Sequence, residues 1–152
     1  MYCRDSKRKD SYSVDRFTFL GYTFCPRKAV GKNGISFTGF LPGVSRDALR
    51  HMRQTIREWN MQLKNSLELA DLSAKFNPIL RGWENYYSRF YKKAMTPVWN
   101  HVNYYLVHWM MRKYKHLCRH KTEASKKLKL LAQKMPNAFV HWKAGHYTLI
   151  AG

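Results

Sequence analysis

Between Phe40 and Leu49 the hydrophobic pattern of the chain changes period, and this change constrains the possible fold more than any other feature. Upstream, the runs RFTFLGYTF and ISFTGFLP are rich in aromatic and β-branched residues, and the first is apolar on both alternating sides, as in a well-covered strand. Gly31, Lys32, Asn33 and Gly34 lie between them and supply turn chemistry, so the simplest connection is a β-hairpin closed by Pro42 and Gly43. Downstream, apolar residues recur every three or four positions, the period of a helix with one buried face. A chain that begins in strands and continues in helices is predicted to be α+β and mainly α.

Ser45 is the expected N-cap of the first helix, with Asp47 in the first turn where the helix dipole favours negative charge. Leu49, Met52, Ile56, Trp59 and Leu63 fall on one face, and Arg46, Arg50, Arg53 and Arg57 on another. LELADLSAKF predicts a short helix ending near Asn77, with Pro78 opening a new one over PILRGWENYYSRFY. Thr96 and Pro97 start the longest helical run, whose apolar face holds Val98, Val102, Tyr105, Leu106 and Trp109. EASKKLKLLAQKM is a further amphipathic segment, and an irregular tail follows Pro136. The first fifteen residues, polar and without periodicity, are expected to be a mobile leading segment.

Charge narrows the functional classes. Against 28 Lys and Arg stand 9 Asp and Glu, a formal net charge of +19 that repels itself unless a polyanion lies nearby. Nucleic acid is the default partner. No stretch approaches the roughly 18–20 consecutive apolar residues that span a bilayer, and no signal peptide is recognised at the start, so an intracellular location and no membrane partner are expected. The strongest single signal is the stripe Arg46, Arg50, Arg53, Arg57, because like charges on successive helical turns destabilise a helix unless something external offsets them. Arg112, Lys113, Lys115 and Arg119 exceed what is needed to cap a helix C-terminus.

In PILRGWENYYSRFY, Leu80, Trp83, Tyr87 and Phe90 share one side and read as core, whereas Arg81, Asn85, Ser88 and Arg89 share another. Acids are too scarce to neutralise these arginines, and a phosphate suits the guanidinium fork; a role in holding helices in register is the alternative. No catalytic constellation emerges. The nine acids include no adjacent pair and no DxD for two-metal chemistry, and neither GxxxxGK[ST] nor GxSxG occurs. His101, His108, His116, His120, His141 and His146 are scattered among basic residues, and Cys3, Cys25 and Cys118 lack zinc or disulfide spacing. No metal, cofactor or catalytic residue is predicted.

The blocks FTFLGYTFCPR, ISFTGFLPGVS, NPILRGWENYYSRF, WMMRKYKHL and FVHW, in this order, resemble the C-terminal portion of bacterial group II intron-encoded reverse transcriptases with maturase activity. The resemblance runs from about Tyr2 to Gly145, and LRGWENYY is its most specific part. It implies that residues 16–43 correspond to the end of the reverse-transcriptase palm, and residues 44–145 to the helical thumb, or maturase domain X, with 146–152 as a tail. The implied architecture is a β-hairpin docked on a three- to four-helix thumb-like bundle. The implied function is binding of intron RNA and template–primer duplex in a bacterial cytoplasm, assisting splicing and reverse transcription. Arg81, Trp83, Asn85, Tyr86 and Tyr87 match the family motif, while the YADD-type carboxylates and the fingers lie upstream in that family and are absent from this sequence. The expected RNA-binding residues are Arg46, Arg50, Arg53, Arg57, Arg81, Asn85, Arg89, Arg112, Lys113, Lys115 and Arg119. Two other classes remain open: a general basic DNA-binding protein, and an interaction module that docks on a separately encoded palm and fingers.

Overall fold

The computed structural model describes residues 14–147. The expected leading segment and tail therefore fall largely outside the described residues, as does Cys3. A three-stranded antiparallel sheet in the order β1-β2-β3, comprising β1 (Phe17–Phe19), β2 (Tyr22–Val30) and β3 (Ser36–Val44), precedes four long helices: α1 (Arg46–Glu58), α2 (Leu69–Tyr87), α3 (Thr96–Lys113) and α4 (Lys121–Lys134). A single turn, α5 (Val140–Lys143), completes the helical part. The fold is α+β and mainly α, as the change of period requires.

The sheet departs from the expected hairpin in two places. RFTFLGYTF is not one strand, because Leu20 and Gly21 both take positive φ (50° and 79°) and reverse the chain, so that Phe19 pairs with Tyr22. Two successive positive φ values are the mark of the tight turn whose twist matches paired strands. A side chain at Gly21 would also meet the Tyr87 ring, 3.1 Å from its hydroxyl oxygen. Pro42 and Gly43 lie inside β3, opposite Phe24 and Thr23, instead of ending it. Both strand prolines sit where a ladder is open on one side: β3 is an edge, and β1 pairs only with Tyr22–Phe24, leaving β2 uncovered at Pro26.

Ser45 caps α1 as expected, its Oγ accepting from the Ala48 N–H at 3.1 Å. Met52 and Ile56 are buried, but α1 ends at Glu58 and Leu63 lies beyond it on the surface. Trp59 stacks between Phe76 (4.5 Å) and Trp83 (5.7 Å), tying the end of α1 to α2.

α2 corrects the largest sequence expectation. It runs unbroken for 19 residues with Pro78 inside it. An interior proline costs about 3 kcal/mol through its missing N–H and the clash one turn back. Leu72, Phe76 and Leu80 are all buried on one seam that crosses Pro78, and at about 1.5–3 kcal/mol each they outweigh that cost. α2 begins at Leu69, where the Glu68 N–H donates to Asp71 Oδ2 at 2.9 Å. Phe90, expected in the core, follows the end of α2 and is 54% exposed.

α3, 18 residues and thus slightly shorter than α2, is the centre of the molecule. Val98, Trp99, Val102, Asn103, Leu106, Val107, Trp109 and Met110 are buried, far more than one apolar face, while Tyr105 is only partly covered. Asn103 is the buried polar hub. Its Oδ1 accepts from Trp142 Nε1 at 3.0 Å and pairs with His141 Nε2 at 2.8 Å, while its Nδ2 donates to the His146 carbonyl at 2.9 Å. Since that oxygen can only accept, His141 carries a proton on Nε2. The segment expected to be an irregular tail is therefore docked into the core, with Phe139, His141 and Trp142 buried.

Full burial lowers the His141 pKa from 6.5 to about 3, with His146 adding to the effect. Between those values the unfolded chain binds a proton that the folded chain refuses, so stability falls as pH drops through this window, by up to about 1.4 kcal/mol per unit. His101, His108 and His146 are lowered in the same direction and add to it. Urea midpoints measured from pH 7.5 to pH 4 should decline steadily; His141→Gln should be less stable at pH 7.5 but show a shallower decline.

Candidate nucleic-acid interface

The cap at Ser45 fixes where α1 begins, and burial of Met52 and Ile56 fixes its rotation. Together they turn Arg46, Arg50, Arg53 and Arg57 to solvent, and all four are exposed. The ion pairs among the described residues are Arg16–Asp15, Lys113–Glu68 and Lys126–Glu123, none involving the stripe. Glu58 accepts from Gln54, and Arg57 donates to Gln54 at 3.0 Å; Asp47 pairs with no arginine. The row is thus outward-facing and not neutralised by any described acid.

The polar edge of α3 extends this row. Burial lowers the pKa of His101, and the guanidinium groups of Arg53 and Arg57 lower it further. One turn on, the Tyr104 ring lies near-parallel to His101 (6.3 Å, 8°), 4.3 Å from His108, and 5.3 Å beneath the Lys121 ammonium. Burial also lowers His108, followed by the charges of Lys121 and Arg112. A band of cations and aromatic rings therefore runs from α1 across α3 to the start of α4. His101, Tyr104, His108 and Lys121 were not among the residues expected from sequence. A signal existed: positions 101, 104, 108 and 112 share one face of a helix.

The basic end of α3 divides. Arg112, Lys115 and Arg119 are exposed. Lys113 turns inward instead, its Nζ donating to Glu68 Oε1 (2.7 Å) and to the carbonyls of Leu67 (2.9 Å) and Asn65 (3.3 Å). It holds the loop between α1 and α2 against α3. Of the α2 group, Arg81 and Asn85 come together on the wall of an open cleft of about 430 Å³ that Asn77, Asn137, Phe139, Val140 and Lys143 complete. Arg89 follows the end of α2 and faces the sheet, where its charge acts on Tyr22 against the upward effect of burial. Glu84, a conceivable partner for these arginines, accepts from Ser88 Oγ at 2.7 Å. On the other side of α2, Tyr22 donates to the Tyr86 carbonyl and Tyr86 donates to the Leu20 carbonyl at 3.0 Å, fastening the sheet to the helices.

Fold and surface together define a class: a small α+β domain whose helices hide an aromatic core and display unneutralised cations. Residues 49–128, more than half of the chain, match the family model described as group II intron, maturase-specific domain, and the chain belongs to that family. The match opens one turn into α1 and ends within α4, so it takes in most of the arginine stripe and all of α2 and α3. No curated protein and no solved structure matches the chain. No helix among the described residues is long and apolar enough to cross a membrane.

The contrast between Lys113 and Lys115 is open to measurement. Lys113→Met leaves two backbone carbonyls and a carboxylate without their donor and should lower the unfolding free energy by about 1–3 kcal/mol. Lys115→Met, at an exposed site, should stay within about 0.5 kcal/mol of the parent in the same urea titration.

Proposed function

We propose that the chain binds group II intron RNA, and template–primer duplex of similar form, chiefly through the phosphate backbone, and so assists folding of the intron for splicing. The observation that carries this reading is the row Arg46, Arg50, Arg53, Arg57, exposed, without acid partners among the described residues, and continued by His101, Tyr104, His108 and Arg112 across α3. Guanidinium groups repeated at successive turns match phosphates in series. Lys115 and Arg119 extend this surface, Arg81 and Asn85 form a second group at the cleft, and Arg89 stands apart from both, toward the sheet. Lys113 is assigned to the fold and not to RNA. A-form RNA offers little base information in its deep groove, so shape and backbone dominate recognition at the band.

In this reading residues 16–43 are the end of a reverse-transcriptase palm and 44–145 the thumb. The chain works by binding in a bacterial cytoplasm, with polymerisation left to carboxylates outside this sequence. Affinity for structured group II intron RNA should fall linearly with salt on logarithmic axes, with a slope of about −0.7 to −0.9 per phosphate neutralised. Arg50→Glu combined with Arg53→Glu should weaken every RNA tested by similar factors and reduce the slope by roughly 1.5. A flat salt dependence, or equal affinity for B-form DNA of the same length, overturns the assignment to RNA.

A second reading has its own observation. Phe19, Leu20, Val30 and Ile35 are each more than 60% exposed on or beside a sheet whose two outer edges carry no further strand among the described residues. Open edges and apolar faces of this kind invite association. This favours docking on a palm-and-fingers polypeptide, whether or not RNA is bound. Mixed with a separately produced YADD-bearing palm and fingers, the chain should co-elute in gel filtration, and Val30→Lys with Ile35→Lys should abolish this; self-association alone counts against it.

A further inference from the structure

Asn77, Arg81 and Asn85 are spaced four apart on α2 and therefore stack along one side of it. Opposite them the chain returns through Asn137, Phe139 and α5. Asn77 joins the two walls. Its Nδ2 donates to the Ala138 carbonyl (2.7 Å) and to Ser73 Oγ (2.9 Å), its Oδ1 accepts from the Val140 N–H (3.2 Å), and Ser73 Oγ donates to the same Ala138 carbonyl. With both of its donors engaged, Asn77 ties the two walls of the cleft together, and the buried Phe139 is among its lining residues.

What remains at the mouth is chemically specific. Arg81 and Lys143 are exposed cations without an ion pair among the described residues. Asn85 and Asn137 are exposed, and neither carboxamide enters a hydrogen bond with the described residues. The cleft, at about 430 Å³, lies within the range of small-ligand sites and is far roomier than a bare phosphate requires. Each amide offers a donor and an acceptor side by side, the pattern that pairs with a nucleobase edge. A duplex is too wide to enter, whereas sequence-specific RNA recognition depends on bases splayed out of the stack.

From this geometry we infer that the cleft holds one unstacked nucleotide of an RNA strand, its phosphate against Arg81 and Lys143 and its base edge against Asn85 and Asn137. The inference rests on the RNA-binding reading and adds to the backbone-reading band a single position at which sequence is read. Half of the site, Asn137 to Lys143, lies outside the residues matched by the family model.

The test uses the full chain, isotope-labelled, titrated separately with the four ribonucleoside 5′-monophosphates and with inorganic phosphate while side-chain amide signals are followed by NMR. The Asn85 and Asn137 amides should shift with nucleotide and not with phosphate, and affinities for the four bases should spread by roughly fivefold or more. Arg81→Ala should weaken all four alike, and the exposed pair Asn85→Ala with Asn137→Ala should collapse the spread. Silent amides, equal responses to phosphate and nucleotide, or no spread among the bases would overturn the inference. Intron RNA affinity of the doubly substituted chain separates the two readings. If it is unchanged and the amides are silent, the cleft assignment fails while the band stands; if the parent chain shows no salt-dependent RNA binding, the wider reading fails whatever the nucleotides do.

Discussion

The burial of α3 is the constraint on which the rest of the structure depends. A helix with Trp99, Trp109 and five aliphatic or sulfur-containing neighbours at full burial must be covered on almost every side, and α1, the segment Met61–Leu63 that follows it, α4 and the stretch His141–His146 bonded to Asn103 provide that cover. Aromatic and aliphatic side chains of this size contribute about 1.5–3 kcal/mol each on burial. Most polar groups taken inside with them are matched, Trp99 Nε1 and His141 Nδ1 being exceptions among the described residues. Asn103 does this for His141, Trp142 and the His146 carbonyl, and Trp109 Nε1 donates to the Lys64 carbonyl at 2.9 Å. These bonds fix the two segments that flank the functional surfaces: the loop after α1 and the approach to α5.

Once α3 is covered, the placement of charge follows. A net +19 spread over 152 residues destabilises the compact state through self-repulsion. The fold tolerates it by internalising little of it: among the described residues Lys113 is drawn against the Leu67 and Asn65 carbonyls and brings Glu68 with it, and Arg27 Nε donates to the Leu41 carbonyl at 3.2 Å. Many of the remaining cations are held outside by helices whose rotations the core has set. The repulsion within the arginine stripe is therefore not relieved by folding, and on the proposed reading a phosphate chain relieves it, so that binding and stability are linked.

Much of this was legible in the sequence where signals are local. The Ser45 cap, the switch from strand to helix, the Met52–Ile56 seam and the outward arginines depend on residues within one or two turns of each other, and the structure has them as expected. Local rules failed where distant packing overrode them. Pro78 reads as a helix start, but the buried seam through Leu72, Phe76 and Leu80 carries α2 across it. Leu20 and Gly21 lie inside a β-rich run, and the reversal there brings them against Tyr86 and Tyr87, some 66 positions away in sequence. The cleft could not be read because Asn85 and Asn137 share no periodicity; the Asn77 bonds to Ala138 and Val140 bring their walls together.

The two kinds of cation are distributed differently, and the difference bears on mechanism. α1 carries only arginine on its outer row, whereas α4 carries lysine at 121, 126, 127, 129 and 134. Arginine is weakly hydrated and presents a planar fork, so it loses little in holding a phosphate at fixed geometry; lysine is a hydrated point charge on a mobile stem. An arginine row backed by a buried seam can set the register of a bound duplex, while the lysines of α4 raise the local potential without fixing an orientation. His101, Tyr104 and His108 lie between these regimes. Their rings are held by the packed edge of α3, so that on the proposed reading a strand crossing from α1 to α4 would meet a surface that is both rigid and partly apolar, one that suits a shaped polyanion better than a loose one.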